Sequence, residues 1–286
     1  MPKREVLQRN IMNRILKIWI TGLTVCCFSA CGDKVSSGGD EPSMGMPISF
    51  VPTVETQTRG TDFTKDNLTS LGVLAYLTQG SNFNASSSTP NFMYNQEVTK
   101  ASGASTWEYT PTKFWPTNSN DKITFFAYAP HNASGLTPCA NTQKGYPYLT
   151  YTVAQAEKDQ TDLLATAPFA DKNAGDVNFT LRHALTKVTL KVKSGDKYVK
   201  EITSLSINAA TSGELHFKDG GFEWKNVTGN YGYPPATTTD LKFAATDRER
   251  EIATFFLLPT ATVTATYSIA YTVKTTTGTD VLTRTF

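Results

Sequence analysis

The chain has 286 residues, of which 39% are hydrophobic, 11% aromatic and 18% charged, and its formal net charge is +2. This composition excludes a coiled coil, a disordered chain and a polytopic membrane protein, and its many Thr, Ser, Tyr, Phe and Gly residues favour strands and turns. The basic excess is confined to residues 1–20, because acidic residues outnumber basic ones in the remainder. No nucleic-acid partner is therefore expected.

Residues 1–30 have the features of an export signal. Arg14 and Lys17 lie at the start of an apolar run that ends at Phe28 and is shorter than the roughly 20 residues that span a bilayer. The following residues, Ser29-Ala30-Cys31-Gly32, resemble the lipobox of bacterial lipoproteins, in which the cysteine becomes the acylated first residue. We therefore predict a lipoprotein signal peptide and lipidation of Cys31, with palmitate among its acyl chains; the alternative is an ordinary cleaved signal with an incidental cysteine.

The cysteine count agrees with this prediction. Processing at Cys31 would remove Cys26 and Cys27, the competing lipidation candidates, and would leave Cys139 as the only thiol. No intrachain disulfide is then expected, and no CxxC pair or Cys/His cluster predicts a metal site. Residues 31–47 are poor in apolar side chains, so we predict a flexible tether between a lipid anchor and the fold.

From Ile48 onward, apolar and polar residues alternate with a period of two in many segments. This alternation predicts half-buried strands at Val177–Leu181, Val188–Val192, Thr203–Ile207 and Val263–Val273. Continuous apolar runs at Ile123–Ala129 and Ile252–Leu258 predict central strands covered on both faces. A single short helix is predicted over Val153–Leu164.

Many short strands separated by turn residues, with no alternation of strands and helices, are typical of an all-β sandwich architecture. The composition changes near Ser194, where Ser194-Gly195-Asp196 also predicts a turn. We therefore predict an N-terminal β-sandwich over residues 48–193 and a C-terminal β-sandwich over residues 194–286.

The sequence offers little that could perform chemistry. The 3 histidines lie in unrelated segments, and the serine-hydrolase, Walker A and dinucleotide-binding motifs are missing. Between two predicted strands, His183 is expected to be a hydrogen-bonded packing residue. The carboxylates are scattered, so we expect no catalytic residue, no cofactor and no enzymatic activity.

Two aromatic groups are candidates for ligand contact. The segment from Trp107 to Pro116 predicts a hairpin whose rings either fill the end of a sandwich or stack on sugars. Tyr231-Gly232-Tyr233-Pro234-Pro235 predicts a loop, because Gly and Pro favour turns over sheets. Tyr231 and Tyr233 are therefore the candidate ligand-contact aromatics. Buried rings would favour a structural role, whereas an exposed coplanar pair would favour binding.

After the signal and the tether, five segments follow one another in an order that resembles the fimbrillin family, the Mfa-like and major fimbrial subunit lipoproteins of type V pili. They are Thr58-Arg59-Gly60, Trp107 to Pro116, Lys122 to Pro130, Gln160 to Leu164 and Val177 to Val188. The resemblance covers the chain from about Ile48 to Phe286. It implies two tandem transthyretin-like Greek-key β-sandwich domains.

The resemblance also implies how such a protein assembles. Family members reach the outer membrane as lipoproteins, and a trypsin-like protease cuts after an arginine ahead of the first domain. The cut removes the anchor and one strand, and a strand of the next subunit fills the groove. Arg59 matches the processing position, and Pro47–Val54 match the removable strand. An ordinary loop is the other interpretation of Arg59.

The expected partners are therefore other fimbrial subunits, bound by strand addition, and the outer membrane, reached through the lipid anchor. Family members commonly continue past the strand that matches Val281–Phe286, so either the gene is shortened, the last strand is supplied differently, or the C-terminal sandwich is incomplete. Two functions stay open: a structural and adhesive component of surface fimbriae, or a glycan- or ligand-binding lipoprotein of the outer membrane whose ligand the sequence does not identify.

Overall fold

The computed structural model describes residues 45–55, 67–192, 200–235, 241–243, 249–259, 264–275 and 278–285. Within them the secondary structure is strands and one short 3-10 turn, so the all-β prediction is confirmed. No helix in these ranges is long and apolar enough to cross a membrane.

In chain order the strands are β1 (Phe50–Val54), β2 (Ser70–Thr78), β3 (Met93–Thr99), β4 (Lys122–Ala129), β5 (Leu136–Pro138), β6 (Tyr148–Thr152), β7 (Leu164–Thr166), β8 (Phe169–Lys172), β9 (Val177–His183), β10 (Thr186–Val192), β11 (Lys200–Ala209), β12 (Ser212–Lys218), β13 (Gly221–Thr228), β14 (Tyr231–Tyr233), β15 (Leu241–Phe243), β16 (Arg250–Leu257), β17 (Thr264–Thr275) and β18 (Gly278–Thr285). The 3-10 turn is Glu157–Asp159.

These strands form four sheets in the described residues. Sheet I has the order β1-β9-β7-β4-β2-β3, with β8 also paired to β4. Sheet II has the order β13-β12-β6-β5, sheet III joins β14, β11, β17 and β18 with β15 beside β11, and sheet IV pairs β10 with β16. The β1–β9 pair is parallel, whereas the neighbouring pairs of sheet I are antiparallel.

Strand β4 shows why sheet I has a core on each face. Its side chains are buried from Ile123 to Ala129, as the continuous apolar run predicted. Because successive side chains of a strand point to opposite faces, Phe125 and Phe126 enter two different clusters. We call the cluster that includes Phe125 and Phe50 the β1 core, and the one that includes Phe126 and Tyr128 the central core.

The central core joins sheet I to the other sheets. Its largest side chains are Tyr76, Phe126, Tyr128, Tyr151, Phe217, Tyr233 and Phe255. They come from both sides of the predicted boundary between residues 193 and 194, and β6 pairs with β12 across the same boundary. The division into two sandwiches and their transthyretin-like topology stay predictions, and the predicted turn at residues 194–196 lies outside the described residues.

The strands predicted from alternation are confirmed at β9, β10, β11 and β17. Strand β16 is confirmed as well, but it is not covered evenly: Ala253, Phe255 and Leu257 are buried and the residues between them are half-buried. In the described residues only β10 pairs with it. Its other edge is instead capped by the side chains of Glu157 and Gln160, which accept hydrogen bonds from the N–H groups of Thr254 and Phe256.

The predicted helix over Val153–Leu164 is wrong. Only Glu157–Asp159 form a helical turn, and Leu164 already belongs to β7. The side chain of Gln160 explains this local structure, because its amide nitrogen donates to the carbonyl of Ala154 at 3.0 Å and its oxygen accepts from the N–H of Phe256 at 2.9 Å. Contacts with a distant strand therefore outweigh the helical preference of this segment.

Candidate functional site at the N-terminal edge strand

Strand β1 lies at one end of sheet I, where it pairs only with β9 in the described residues. The parallel register places Phe50 opposite Val177 and Val54 opposite Leu181. The ladder continues beyond both ends of the strand: the N–H of Val177 donates to the carbonyl of Ser49 at 2.9 Å, and the N–H of Glu55 donates to the carbonyl of Leu181 at 2.8 Å. Backbone hydrogen bonds thus attach residues 49–55 to the sheet.

The residues just before β1 are held on their other side. The N–H of Ile48 donates to the carbonyl of Lys113 and the N–H of Trp115 donates to the carbonyl of Met46, both at 2.9 Å. We call residues 113–115 the lip, and the space between the lip and β9, in which the N-terminal segment lies, the groove. The chain therefore enters the groove between the lip and β9, and Ile48 at this entry is only 3% exposed.

Aromatic side chains form the floor and walls of the groove. The ring of Phe50 is stacked on Phe179 with 5.8 Å between centroids, and it meets Tyr109 and Phe125 edge to face at 5.2 and 6.0 Å. Trp115 of the lip contacts Phe125 in the same way at 5.7 Å. These edge-to-face and offset contacts are the favoured arrangements of aromatic pairs, so the groove is shaped for a large apolar ring.

Polar groups at the rim fix the position of the strand. The hydroxyl of Tyr109 donates to the carbonyl of Ile48 at 2.9 Å and accepts from the N–H of Lys113 at 3.3 Å. Burial raises the pKa of this hydroxyl above its ordinary value, so it stays a donor. The indole N–H of Trp115 donates to the carbonyl of Gly175 at 3.0 Å, and the hydroxyl of Ser49 donates to Asp176.

The outer edge of β1 is open and interrupted by a proline. Because Ser49 and Glu55 turn their backbone groups toward β9, the even-numbered residues Phe50, Pro52 and Val54 turn theirs away from it. Pro52 stands in the middle of this outer row and has no N–H to donate. Proline at such a position is compatible with an edge strand and discourages the addition of another strand.

The structure places the predicted removable segment, Pro47–Val54, in this groove, whereas Cys31 and Arg59 lie outside the described residues. The predicted hairpin from Trp107 to Pro116 is wrong. Instead of pairing with itself, the segment forms isolated bridges between Glu108 and Thr99 and between Phe114 and Pro47. The segment bends at Thr110 and Pro111, and its two halves pair with different parts of the chain.

The sequence singled out the segment that contains the lip and Tyr109, but not its contact with the N-terminal segment. The aromatic spacing and the prolines of this segment indicated a packed surface. The half-buried rings of Trp107 and Tyr109 and the buried ring of Trp115 agree with that, whereas Phe114 is 37% exposed. Nothing local in the sequence indicated that the partner would be the N-terminal segment.

The candidate ligand-contact tyrosines do not form an exposed coplanar pair. Tyr231–Tyr233 is strand β14, paired with Ile207–Ala209 of β11, so the predicted loop is wrong: backbone pairing outweighs the turn preference of Gly232. Tyr233 is completely buried, and its hydroxyl donates to the carbonyl of Ala210 at 3.1 Å. The two rings meet edge to face at 74°, and Tyr231 is half-buried.

Each histidine is paired with one carboxylate. The ring of His183 lies 2.5 Å from the buried carboxylate of Asp162, as expected for a hydrogen-bonded packing residue. His131 and Glu97 are 3.3 Å apart, and His216 and Glu214 are 2.8 Å apart. The described part of the chain has no group of three or more His, Cys, Asp or Glu side chains placed to hold a metal ion. What the edge-strand site does in this structure is hold an extended segment of the chain itself.

Comparison with known proteins identifies the family of the chain. A model of the fimbrillin-like family matches residues 56–285. Fimbrium subunit Fim1C of Phocaeicola vulgatus is 35% identical over an alignment of 173 positions that covers 53% of this chain and 45% of that protein, so the chain spans about half the length of this relative. A crystal structure of a fimbrial protein from Bacteroides vulgatus shares the fold, with a TM-score of 0.63 and 23% identity over 84% of this chain and 87% of that one. The family model covers most of the sequence, and the chain therefore belongs to the fimbrillin-like family.

Proposed function

We propose that the protein is a structural and adhesive subunit of surface fimbriae, exported as a lipoprotein and assembled by exchange of strand β1 for a strand of the next subunit. Membership of the fimbrillin-like family and the similarity to a fimbrium subunit support the first part. The position of β1 at the edge of sheet I supports strand exchange. The first strand of the chain pairs with a single neighbour there and covers an apolar groove.

Removal of β1 would leave a binding site for another extended segment. Ile48 and Phe50 are 3% and 4% exposed, and burial of each such side chain contributes about 1.5–3 kcal/mol. Without them the rings of Phe179, Phe125 and Tyr109 would face water, and β9 would keep β7 on one edge but lose its partner on the other. An apolar groove beside an unpaired edge favours strand addition: main-chain hydrogen bonds supply affinity and alternate side chains fix the register.

One cleavage would release both the anchor and the strand. Cys31 precedes β1 and Arg59 follows Glu55 in the sequence. Cutting after Arg59 would therefore separate the acylated cysteine and Pro47–Val54 from the rest of the fold together. This order gives proteolysis the role of a switch between a membrane-anchored subunit and an assembling one.

Protein recovered from cells allows both the lipid anchor and the cleavage to be tested. Mass spectrometry of the intact mature chain tests acylation of Cys31, with Cys31→Ser as the unlipidated control. Trypsin treatment is expected to give a stable product that begins at Gly60 and forms ladders of oligomers. Arg59→Gln is expected to abolish both results, whereas Lys65→Gln, which removes a neighbouring trypsin site, leaves them unchanged.

A synthetic peptide tests the groove itself. Excess peptide with the sequence of Pro47–Val54 is expected to block the ladders by occupying the groove, and the same peptide with Phe50→Asp is not. A trimmed chain that stays monomeric, or ladders that both peptides inhibit equally, would count against exchange at β1. A chain that carries no lipid at Cys31 would remove the proposed anchor.

A further inference from the structure

A polar cleft lies on the other face of the same pair of strands, away from the β1 core. Its volume is about 430 Å³, within the range of about 300–1,000 Å³ that is usual for small-molecule sites. Residues 178, 180 and 182 of β9 form its floor, the link from β7 to β8 forms one wall, and Gly220 and Glu55 complete the rim. Five of its nine lining residues carry polar side chains: Glu55, Thr166, Asn178, Thr180 and Arg182.

The cation of the cleft is Arg182. Its guanidinium donates to the carbonyl of Gly220 at 3.2 Å and lies 5.3 Å from the ring centre of Phe222. A Cβ atom on Gly221 would stand 2.5 Å from the terminal nitrogen of Arg182, so glycine at this position leaves room for the guanidinium. No carboxylate of the described residues forms an ion pair with Arg182.

The surroundings of Arg182 suit a ligand with hydroxyl groups and an acid group. Thr180 and Asn178 offer a hydroxyl and an amide beside the guanidinium. A planar guanidinium with N–H groups left to donate binds carboxylates through paired, charge-assisted hydrogen bonds. The hydroxyl and the amide complement the hydroxyls of a sugar, whereas the ring of Phe169 packs against the β1 core and has Lys172 over it at 5.7 Å.

We propose that the cleft around Arg182 binds the carboxylate of an acidic saccharide residue. Glu55, at the rim, places a negative charge near the bound carboxylate and weakens the complex. Because Glu55 directly follows β1, the same carboxylate belongs to the segment that the proposed strand exchange would remove. The proposal itself concerns the intact chain and does not depend on that exchange.

Titration of the full-length protein with glucuronate, glucose and acetate at constant ionic strength tests the proposal. Nuclear magnetic resonance shifts or calorimetry are expected to show binding of glucuronate, with glucose and acetate each at least about tenfold weaker, since each lacks part of the recognised group. Equal affinity for acetate would show that the cleft takes any carboxylate, an acidic peptide included, and would overturn the saccharide.

Charge variants test the position of the site. Arg182→Gln is expected to lower the affinity for glucuronate at least about tenfold, and Glu55→Gln to raise it about two- to fivefold. Lys144→Gln removes one positive charge outside the cleft and is expected to change nothing. Glu55 is exposed, so its variant keeps the fold even if Arg182→Gln does not; an affinity that Glu55→Gln leaves unchanged or lowers would overturn the proposal.

Discussion

Two strand edges of the molecule are closed in different ways. The outer edge of β1 is interrupted by Pro52, which has no N–H to offer. The outer edge of β16 is closed by side chains: Glu157 accepts from the N–H of Thr254 at 2.8 Å, and Gln160 accepts from the N–H of Phe256 at 2.9 Å. The edge of β1 thus lacks a donor at Pro52, whereas on the edge of β16 the N–H groups of Thr254 and Phe256 are both bonded.

The two strands also differ in how much of the core depends on them. Behind its capped edge, β16 places Ala253, Phe255 and Leu257 in the central core, which joins sheet I to the other sheets. Strand β1 reaches only the β1 core and pairs with a single strand. Loss of β1 would therefore open one groove, whereas loss of β16 would open the centre of the molecule, and this difference suits the proposed exchange.

The largest expected effect comes from truncating the anchor of β1. Phe50→Ala removes the ring that packs on Phe179, Phe125 and Tyr109, and we expect the free energy of unfolding to fall by about 3–5 kcal/mol. Urea denaturation of the mature chain measures the change.

The neighbouring residue supplies the control for this measurement. Val51 is 42% exposed on the opposite face of β1, so Val51→Ala is expected to change the stability by no more than about 0.5 kcal/mol. If both variants lost the same stability, the ring of Phe50 would not be the anchor.

Removal of the cap of β16 is expected to cause the next largest loss in the free energy of unfolding. Gln160→Ala leaves the N–H of Phe256 and the carbonyl of Ala154 without this side chain as partner, and loss of such buried hydrogen bonds costs about 1–3 kcal/mol. Thermal or urea unfolding detects it. Lys158→Ala, in the same turn but with a side chain 73% exposed, is the matched control and is expected to be near neutral. Equal stability of the two variants would mean that water replaces the cap without cost.

The sequence predicted the strands whose pattern is local. The run at β4 indicated burial on both faces, and the alternation at β17 and β9 indicated long half-buried strands, because the period of a strand is read from neighbouring residues. The family resemblance, carried by the same segments, is confirmed. Prediction therefore succeeded where each residue's environment depended on its neighbours in the chain.

Prediction failed where distant partners decide the structure. The groove joins Phe50 to Val177, and the cap joins Glu157 to Thr254; neither pairing leaves a periodic signal in the sequence. The helix predicted near Glu157 and the loop predicted at Tyr231–Tyr233 were wrong for the same reason, since tertiary contacts outweighed local preference. The partially polar cleft around Arg182 was also missed, because its residues come from four separate segments.

A smaller effect is expected at the buried tyrosine of β14. Tyr233→Phe removes a hydrogen bond to Ala210 and is expected to cost about 1 kcal/mol at neutral pH. Burial, with a smaller effect from Tyr231, raises the pKa of Tyr233 to about 12. The neutral phenol is thus favoured in the folded state: its contribution is complete below the unfolded pKa of about 10 and is lost as the pH rises through about 12.

Melting temperatures measured between about pH 9 and pH 12 test this sign. The Tyr233→Phe variant is expected to lose less stability over that interval than the unsubstituted chain. Tyr231→Phe leaves the buried phenol in place and removes only the smaller contribution to its pKa, so its alkaline loss should lie closer to that of the unsubstituted chain than to that of Tyr233→Phe. An identical pH dependence in all three proteins would show that Tyr233 does not contribute to alkaline unfolding.

The smallest effect on stability, and the sharpest test of the two edges, is expected for Pro52→Val. The substitution restores an N–H in the middle of the outer row of β1, and because valine also places a small apolar side chain at this half-buried position, the free energy of unfolding should change by no more than about 0.5 kcal/mol. An edge that offers its donors pairs readily with another strand, so concentration-dependent self-association should appear in sedimentation velocity. Val51→Ala, whose N–H faces β9, should stay monomeric under the same conditions. A monomeric Pro52→Val variant would mean that the lip and the shortness of β1 already close this edge, so that an incoming strand can bind only after β1 has left.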